Sequence, residues 1–343
     1  MSPTVSVVMA VYNGQTYLAE AIESILHQTF VDFEFIIIDD GSNDGTPVIL
    51  DHYHTLDDRI RLSRNESNLG LTASLNIGLK LACGRYIARQ DADDVSLPKR
   101  LALQVQFLDD HPQVGLLGSW VDNINEAGHK IGCWHPPNSS ALLHWSLLFS
   151  NSLAHTTVMM RQPLAKQGYR MDLRYAQDYG LWLCLSQITR LVNLPETLCL
   201  RRKHAHVIGE LHHLQQEQTA ERLTQQAVSQ LLSQNIELNL ITKLRQANRN
   251  EGVETISELR AISNLVIQMY YAYINQNQWL NRDERRQVLH NAGRRLEKFA
   301  WQSMKQWPLA ANQILWQTFL FSGQLPASKL QLKKGVRKLL KAQ

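Results

Sequence analysis

Apolar residues follow two alternating rhythms along the N-terminal part of this 343-residue chain. Val5 to Val11 (VSVVMAV), Phe33 to Ile38 (FEFIII) and Tyr86 to Arg89 are short, nearly unbroken runs rich in β-branched or aromatic residues, as in strands buried on both faces. Between them the apolar positions fall three and four apart: Leu18, Ala21, Ile22, Ile25 and Leu26; then Leu71, Leu75, Leu79 and Ala82; then Leu101, Val105 and Leu108. That spacing predicts helices. Asn13 or Thr16 is available to cap the first, Thr46 or Asp44 followed by Pro47 marks a second helix start, and Pro98 opens another. Ile60 to Leu62 and Val114 to Ser119 read as further strands. Strand and helix in alternation predict an α/β fold, a mostly parallel sheet with right-handed crossovers, flanked by helices.

Beyond this the pattern loosens. Asp122 to Ile131 reads as a hairpin around Glu126-Ala127-Gly128, and Ser139 or Ser140 is placed to cap a helix carrying Leu142, Leu143, Trp145 and Leu148. A strand is expected over Thr157 to Met160, and a helix from Gln177-Asp178 with Leu181, Trp182 and Leu185 inward. After about Gly209 only the helical rhythm persists, over Gln215 to Leu232, Ile256 to Ile274 and Asp283 to Met304. The expected division is residues 1–209 as an α/β domain, then residues 210–343 as a helical extension.

Composition narrows the class. With 44% hydrophobic residues and a net charge of +4, the chain can build ordinary cores and carries no global signature of a nucleic-acid partner. The four cysteines, Cys83, Cys133, Cys184 and Cys199, form no Cys-x-x-Cys pair, and the expectation is reduced, mostly buried thiols in a cytoplasmic protein. No secretory leader and no long apolar span is legible. The charge is uneven: residues 329–343 hold six cations and no acid, with Leu332, Val336, Leu339 and Leu340 at helical spacing. A basic amphipathic tail of this kind suits an anionic membrane face.

The candidate chemistry lies where the strands end. Ligands of open α/β sheets bind outside the carboxyl ends of the strands. There the sequence places Tyr12 after the first strand, Asp39 and Asp40 after the second, and Asp91, Asp93 and Asp94 after the strand at Tyr86. Three carboxylates so close repel one another unless a cation joins them, and hard oxygen donors suit Mn²⁺ or Mg²⁺. Asp178, at the start of its helix, is stabilised as an anion by free N–H groups whatever else it does. No Gly-x-Gly-x-x-Gly follows the first strand and no Gly-Lys-Ser/Thr loop is present, which removes the usual dinucleotide and P-loop sites. His212-His213 lacks companions at zinc-ligand spacing.

Taken in order, VSVVMAVYNG, IIIDDGSNDGT, NLGLTASLNIG, ARQDADDVSLPKRL, AQDYGLWLCL and LPETLCLRRKH resemble the family 2 glycosyltransferases of the GT-A nucleotide-sugar fold. The resemblance implies that Ala10, Val11, Tyr12, Asp39, Asp40 and Asn68 hold the nucleotide of the donor. It implies that Asp91, Ala92 and Asp93 form the Asp-x-Asp signature placing a metal on the donor diphosphate, with Asp94 an alternative ligand to Asp93. Asp178 matches the base of an inverting transfer, and Arg202 and His204 match an element closing over the diphosphate. His155 matches a position near the acceptor side; a His before a strand is also an ordinary structural residue. Arg100 is expected to pack its stem on the sheet or to pair with the acidic cluster, and Trp182 to lie in the core. The chain departs from the family at Gln177, where many relatives carry a second acid, and at Arg201, where they often carry an aromatic residue.

The activity so implied is transfer of one sugar from a nucleotide-diphosphate sugar, UDP-linked by family preference, to a saccharide or lipid-linked saccharide in surface-polysaccharide synthesis. The Gln-x-x-Arg-Trp element of processive synthases is absent. The alternative is a nucleotide-sugar-binding protein of the same fold that performs no transfer. A sugar-nucleotide synthase would have a glycine-rich basic loop where Tyr12-Asn13-Gly14-Gln15 stands. A second copy of the chain is a possible partner of the helical region.

Overall fold

The computed structural model describes residues 2–204 and 212–322. The chain divides into two compact units, one of residues 1–147 with 151–223 and the other of residues 148–150 with 224–343.

The first unit is built on a nine-stranded sheet. Its strands are β1 (Val5–Val11), β2 (Phe33–Asp39), β3 (Ile60–Arg64), β4 (Tyr86–Gln90), β5 (Val95–Ser96), β6 (Val114–Ile124), β7 (Lys130–Trp134), β8 (Met159–Arg161) and β9 (Arg190–Arg202). They lie in the order β3-β2-β1-β4-β8-β6-β9-β5, with β7 paired to β6 outside that path. β3, β2, β1 and β4 run parallel, so their carboxyl ends form one rim. β8 joins β4 and β6 antiparallel, and the long β9 runs parallel to β6. Six helices flank the sheet: α1 (Leu18–Leu26), α2 (Thr46–Leu56), α3 (Leu71–Leu81), α4 (Arg100–Asp110), α5 (Ser140–Leu147) and α6 (Gln177–Leu185).

Period-two alternation divides each buried strand between two cores. Val8, Ala10, Ile36, Ile38 and Ile87 face one core with Leu75, Leu79 and Trp182, while Val7, Met9, Phe35, Ile37 and Ala88 face the other with Leu18, Ile22, Ile25 and Leu101. Burying each of the Val, Leu, Ile, Phe and Met side chains contributes about 1.5–3 kcal/mol. This is why the strands read as continuous apolar runs. Gly78 lets α3 lie on β1, since a Cβ there would stand 2.4 Å from Val8 Cγ1.

The second unit carries α7 (His213–Leu232), whose first half belongs to the first unit, then α8 (Leu238–Arg249), α9 (Ile256–Gln276), α10 (Arg282–Ser303) and α11 (Pro308–Ser322). α9 and α10 each begin with a capping box, Thr255 with Glu258 and Asn281 with Glu284. No described helix is long and apolar enough to cross a membrane. The basic tail at 329–343, and the expected boundary at Gly209, lie outside the described residues.

Several expectations are corrected. Cys83, Cys133 and Cys184 are exposed and only Cys199 is buried, because the first three sit at a helix end, on the β7 edge and on the outer face of α6. α1 has no side-chain cap: Asn13 instead takes a left-handed conformation (φ 51°) and accepts a bond from Asn43 N–H. α4 starts at Arg100, two residues after Pro98. His155–Thr157 forms a 3-10 turn, so β8 begins only at Met159. α8 and α11 were missed: α8 begins without a side-chain cap, and α11 is apolar around most of its circumference rather than along one stripe.

Candidate active site

Three loops at the carboxyl ends of β1, β2 and β3 are stitched into one rim. Asn13 N–H donates to Ser42 Oγ (3.0 Å), Gly14 N–H to Thr46 Oγ1 (2.9 Å) and Gln15 N–H to Asp44 Oδ2 (3.2 Å). Asp40 is buried and holds the next loop, accepting from Asn65 Nδ2 (2.7 Å), Leu69 N–H (2.9 Å) and Gly70 N–H (2.9 Å). Gly41 (φ +75°) passes so close to this loop that a Cβ would lie 2.7 Å from the Ser67 carbonyl carbon. Asp39, also buried, accepts from Ser42 N–H (3.0 Å) and stands 3.7 Å from Arg64 Nε. Ala10 and Val11 are buried at the end of β1, whereas Tyr12 is 46% exposed and Asn68 is exposed. Of the residues expected to hold a nucleotide, Tyr12 and Asn68 thus offer open surface, and Asp40 is occupied in shaping the loop that carries Asn68.

The acidic turn follows β4. Gln90, fully buried, donates from Nε2 to the carbonyls of Asp91 (3.0 Å) and Asp94 (2.8 Å) and so folds the turn from inside. Arg100 braces it: its guanidinium reaches Gln90 Oε1 (2.9 Å), Ser96 Oγ (2.8 Å) and the Arg89 carbonyl (2.6 Å), neutral acceptors rather than the acidic cluster itself. Ala92 approaches the β1 loop at Gly14. Pairing of β5 with β9 is antiparallel, Val95 opposite Leu200, which carries Asp93 and Asp94 to the end of β9.

The three carboxylates are then treated differently. Burial pushes the Asp91 carboxyl up, but Arg89, with Nη2 2.5 Å from Oδ1, and the positive surroundings hold it below the usual range. Burial and the Asp91 charge push Asp93 up, against its contact with His204 Nε2 (2.9 Å). Asp94 is raised well above the ordinary value by burial and by Asp93 and Asp91, although it accepts from Arg202 N–H (2.8 Å). The Asp91 and Asp93 side chains keep 32% and 34% of their surface, while Asp94 is 2% exposed. Among the described residues no group of three or more His, Cys, Asp or Glu side chains converges on a metal position. Mg²⁺-type ions on diphosphates take one or two carboxylates and complete their shell with phosphate oxygens and water, so the open pair Asp91 and Asp93 fits such an ion.

Arg202 is buried beneath this turn. Nε donates to the Asp93 carbonyl (3.1 Å), Nη1 to those of Asn125 and Glu126 (3.1 Å each), and Nη2 pairs with Glu20 (2.5 Å), while the guanidinium lies over the Tyr17 ring (4.6 Å). Arg201 lies within reach of the Asp91 and Asp94 charges and over the Trp134 ring (5.6 Å).

Asp178 lies in the first turn of α6, half-buried, its Oδ2 accepting from Asn151 Nδ2 (2.7 Å). Burial pushes its pKa above the usual range, and the Asp91 charge adds to this, while the Tyr179 N–H and Asn151 pull the other way. The two carboxylate centres are tied through one strap. Asn151 holds Asp178, and Thr156 Oγ1, five residues on, accepts from Asp91 N–H (3.4 Å). On the strap His155 Nε2 meets Tyr169 Oη at 2.8 Å, and burial together with Arg89 pushes the imidazole pKa down to about 3.

Sequence reasoning missed Gln90, Asn151, Thr156, Tyr169 and Glu20. Gln90 stands beside the acidic cluster and could have been suspected. Asn151 and Tyr169 are polar residues in unpatterned segments, and nothing local distinguishes them.

An open α/β sheet with a stitched loop rim and an acidic turn after its fourth strand has the layout of the GT-A fold. The sequence profile of glycosyl transferase family 2 matches residues 6–168. An uncharacterized glycosyltransferase of Haemophilus influenzae is 33% identical over 242 residues, 67% of this chain and 75% of the relative. The O-antigen biosynthesis glycosyltransferase WbnJ of Escherichia coli is 36% identical over 207 residues, 58% of this chain and 80% of the relative. The chain belongs to glycosyl transferase family 2 and is a glycosyltransferase. In fold it is similar to the S. aureus TarS fragment 1–349 in complex with UDP-GlcNAc, at a TM-score of 0.53 and 17% identity over 94% of this chain and 93% of that one.

Proposed function

We propose that this enzyme moves a single sugar, with inversion, from a nucleoside-diphosphate sugar to a saccharide or lipid-linked saccharide acceptor in surface-polysaccharide synthesis. The observation that carries the reading is the Asn151-to-Thr156 strap, which ties Asp178, with its raised pKa, to the Asp91 turn. An inverting displacement needs both ends at once: a carboxylate to take the acceptor hydroxyl proton as its oxygen attacks the anomeric carbon, and positive charge for the departing diphosphate. Asp178 is the base. Tyr12 and Asn68 receive the base and ribose, with Asp39 at the end of β2 lining the same rim, and UDP is the favoured nucleotide by family preference. Asp91 and Asp93 would hold Mn²⁺ or Mg²⁺, which would supply Lewis-acid stabilisation of the leaving diphosphate. Asp94, closed off and bonded to the β9 backbone, shapes the turn. Arg202 braces the same turn from below, and His204 steadies Asp93. We further propose that the basic tail at 329–343 attaches the enzyme to an anionic membrane face, where a lipid-linked acceptor would be presented.

The test is Asp178→Asn with UDP-, GDP- and dTDP-sugars, each with and without Mn²⁺. The expected result is unchanged donor binding with transfer reduced about 10²–10⁴-fold, the range for losing a general base. Retained transfer would remove Asp178 from the mechanism. Failure of wild type to bind any nucleotide sugar would sink the reading as a whole, and failure of metal to alter binding would remove the role given to Asp91 and Asp93.

A further inference from the structure

His155 stands between the two carboxylate centres, and the proposed chemistry leaves it without a task. Its turn touches the Asp91 backbone through Thr156, and its strap starts at Asn151, which holds Asp178. The ring lies edge-on to Trp182 (5.9 Å, 70°), one helical turn beyond Asp178, and edge-on to Tyr169 (5.5 Å, 66°). Both Asp91 and Arg89 act on it electrostatically. If the diphosphate lies at Asp91 and the attacking hydroxyl at Asp178, the sugar being transferred lies beside the strap that carries His155.

The tautomer follows from hydrogen-bond accounting. Tyr169 is 4% exposed, belongs to the cluster around Trp182, and among the described residues its hydroxyl meets His155 Nε2 alone. Were Tyr169 Oη to accept from Nε2–H, its own proton would have no protein acceptor among the described residues, at a cost of about 1–3 kcal/mol. Tyr169 therefore donates to Nε2, and the imidazole proton sits on Nδ1. Among the described residues Nδ1 takes no protein partner, and it is not one of the sealed, unpaired buried atoms. It is an uncharged N–H donor that keeps some accessible surface.

We infer that His155 is a sugar-recognition residue whose Nδ1–H donates a hydrogen bond to a hydroxyl of the transferred sugar, with Tyr169 as the positioning residue that fixes its tautomer. The inference rests on the proposed donor site and adds a determinant of which sugar is accepted. A fixed neutral donor rewards a hydroxyl of the right position and is left unpaired by a deoxy or epimeric centre, which is how polar contacts discriminate sugars.

The test compares the affinity of free nucleotide with that of its sugar conjugate in the presence of Mn²⁺, by calorimetry on the full chain. The pairs are UDP with UDP-glucose, UDP-galactose and UDP-GlcNAc, GDP with GDP-mannose, and dTDP with dTDP-rhamnose. His155→Ala is expected to weaken the sugar nucleotide that wild type prefers by about 3- to 10-fold, one neutral hydrogen bond, and to leave the free nucleotide unchanged. His155→Asn, whose amide N–H stands near the Nδ1 position, restores most of the loss. Tyr169→Phe gives a loss selective for the sugar in the same way. Equal weakening of both ligands in His155→Ala, or no weakening, would overturn the inference while Asp178→Asn still reports on the donor site and base independently. Absence of nucleotide-sugar binding by wild type would overturn both.

Discussion

At the scale of single residues, environment rather than type separates the carboxylates. Asp178 is the clearest case. As the proposed base it would work deprotonated, and burial raises its pKa, so kcat should fall with acid through a midpoint above the ~3.9 of an ordinary aspartate. An acid limb at or below the ordinary value, measured with saturating donor and acceptor, would exclude Asp178 as the titrating base. Asp94 offers a complementary test on stability. Its folded pKa is raised, so the ionised form costs stability once the pH exceeds the unfolded value, and the cost grows until the pH passes the folded value. Asp94→Asn keeps an oxygen for the Arg202 N–H while removing the charge. The variant should melt higher than wild type in metal-free buffer at pH 8, with the gain vanishing at acid pH where the carboxyl is protonated. A lower melting temperature at pH 8 would mean that the Asp94 charge is paired better than its surroundings indicate.

Helices, strands and loops are where the sequence reading succeeded most evenly. Unbroken apolar runs at Val5, Phe33 and Tyr86 became β1, β2 and β4 because crossovers cover both faces of a parallel sheet, and such strands need no polar alternation. The expected hairpin at Glu126-Ala127-Gly128 formed, with Gly128 at φ +80°. Reading was poorest where an element depends on distant partners. β5 is two residues long and exists because β9 pairs with it, and the His155 turn is fixed by Ser119 and Asp91, far away in the chain. Two substitutions probe elements that position the site. Gly78→Ala forces a methyl to within 2.4 Å of Val8 Cγ1, and overpacking of that kind should cost about 1–3 kcal/mol, outweighing the ~1 kcal/mol gain in helix propensity. A urea midpoint equal to or above wild type would show that α3 can move off β1. Asp40→Ala strips the rim loop of three acceptor contacts and should loosen nucleotide binding along with stability. Native proteolysis at 65–70 should rise, and unchanged cleavage would show the loop to be held by other means.

Across the whole molecule, the test concerns where the enzyme works. Six cations without an acid at 329–343 give a local surface attraction of about 1 kcal/mol per cation near anionic lipid. The full chain should co-sediment with vesicles containing phosphatidylglycerol, and a chain ending before Lys329 should not. Equal binding by the two would remove the tail from the proposal, and binding insensitive to salt would remove its electrostatic basis.

Sequence by itself determined the α/β class, the rim to which Tyr12, Asp39 and the Asp91–Asp94 cluster belong, and the family, because periodicity and strand-end motifs are local and survive without knowledge of contacts. Only the tertiary structure decided how these residues divide the work. Asp40 and Asp39 carry the same carboxylate, yet three loop donors engage the first. Asp93 and Asp94 are neighbours, yet pairing of β5 with β9 leaves one open beside His204 and seals the other against Arg202 N–H. Arg202, expected to reach for phosphate, has its guanidinium committed to carbonyls and Glu20. Accessibility, charge partners and tautomer are sums over atoms distant in sequence, and no local pattern encodes them.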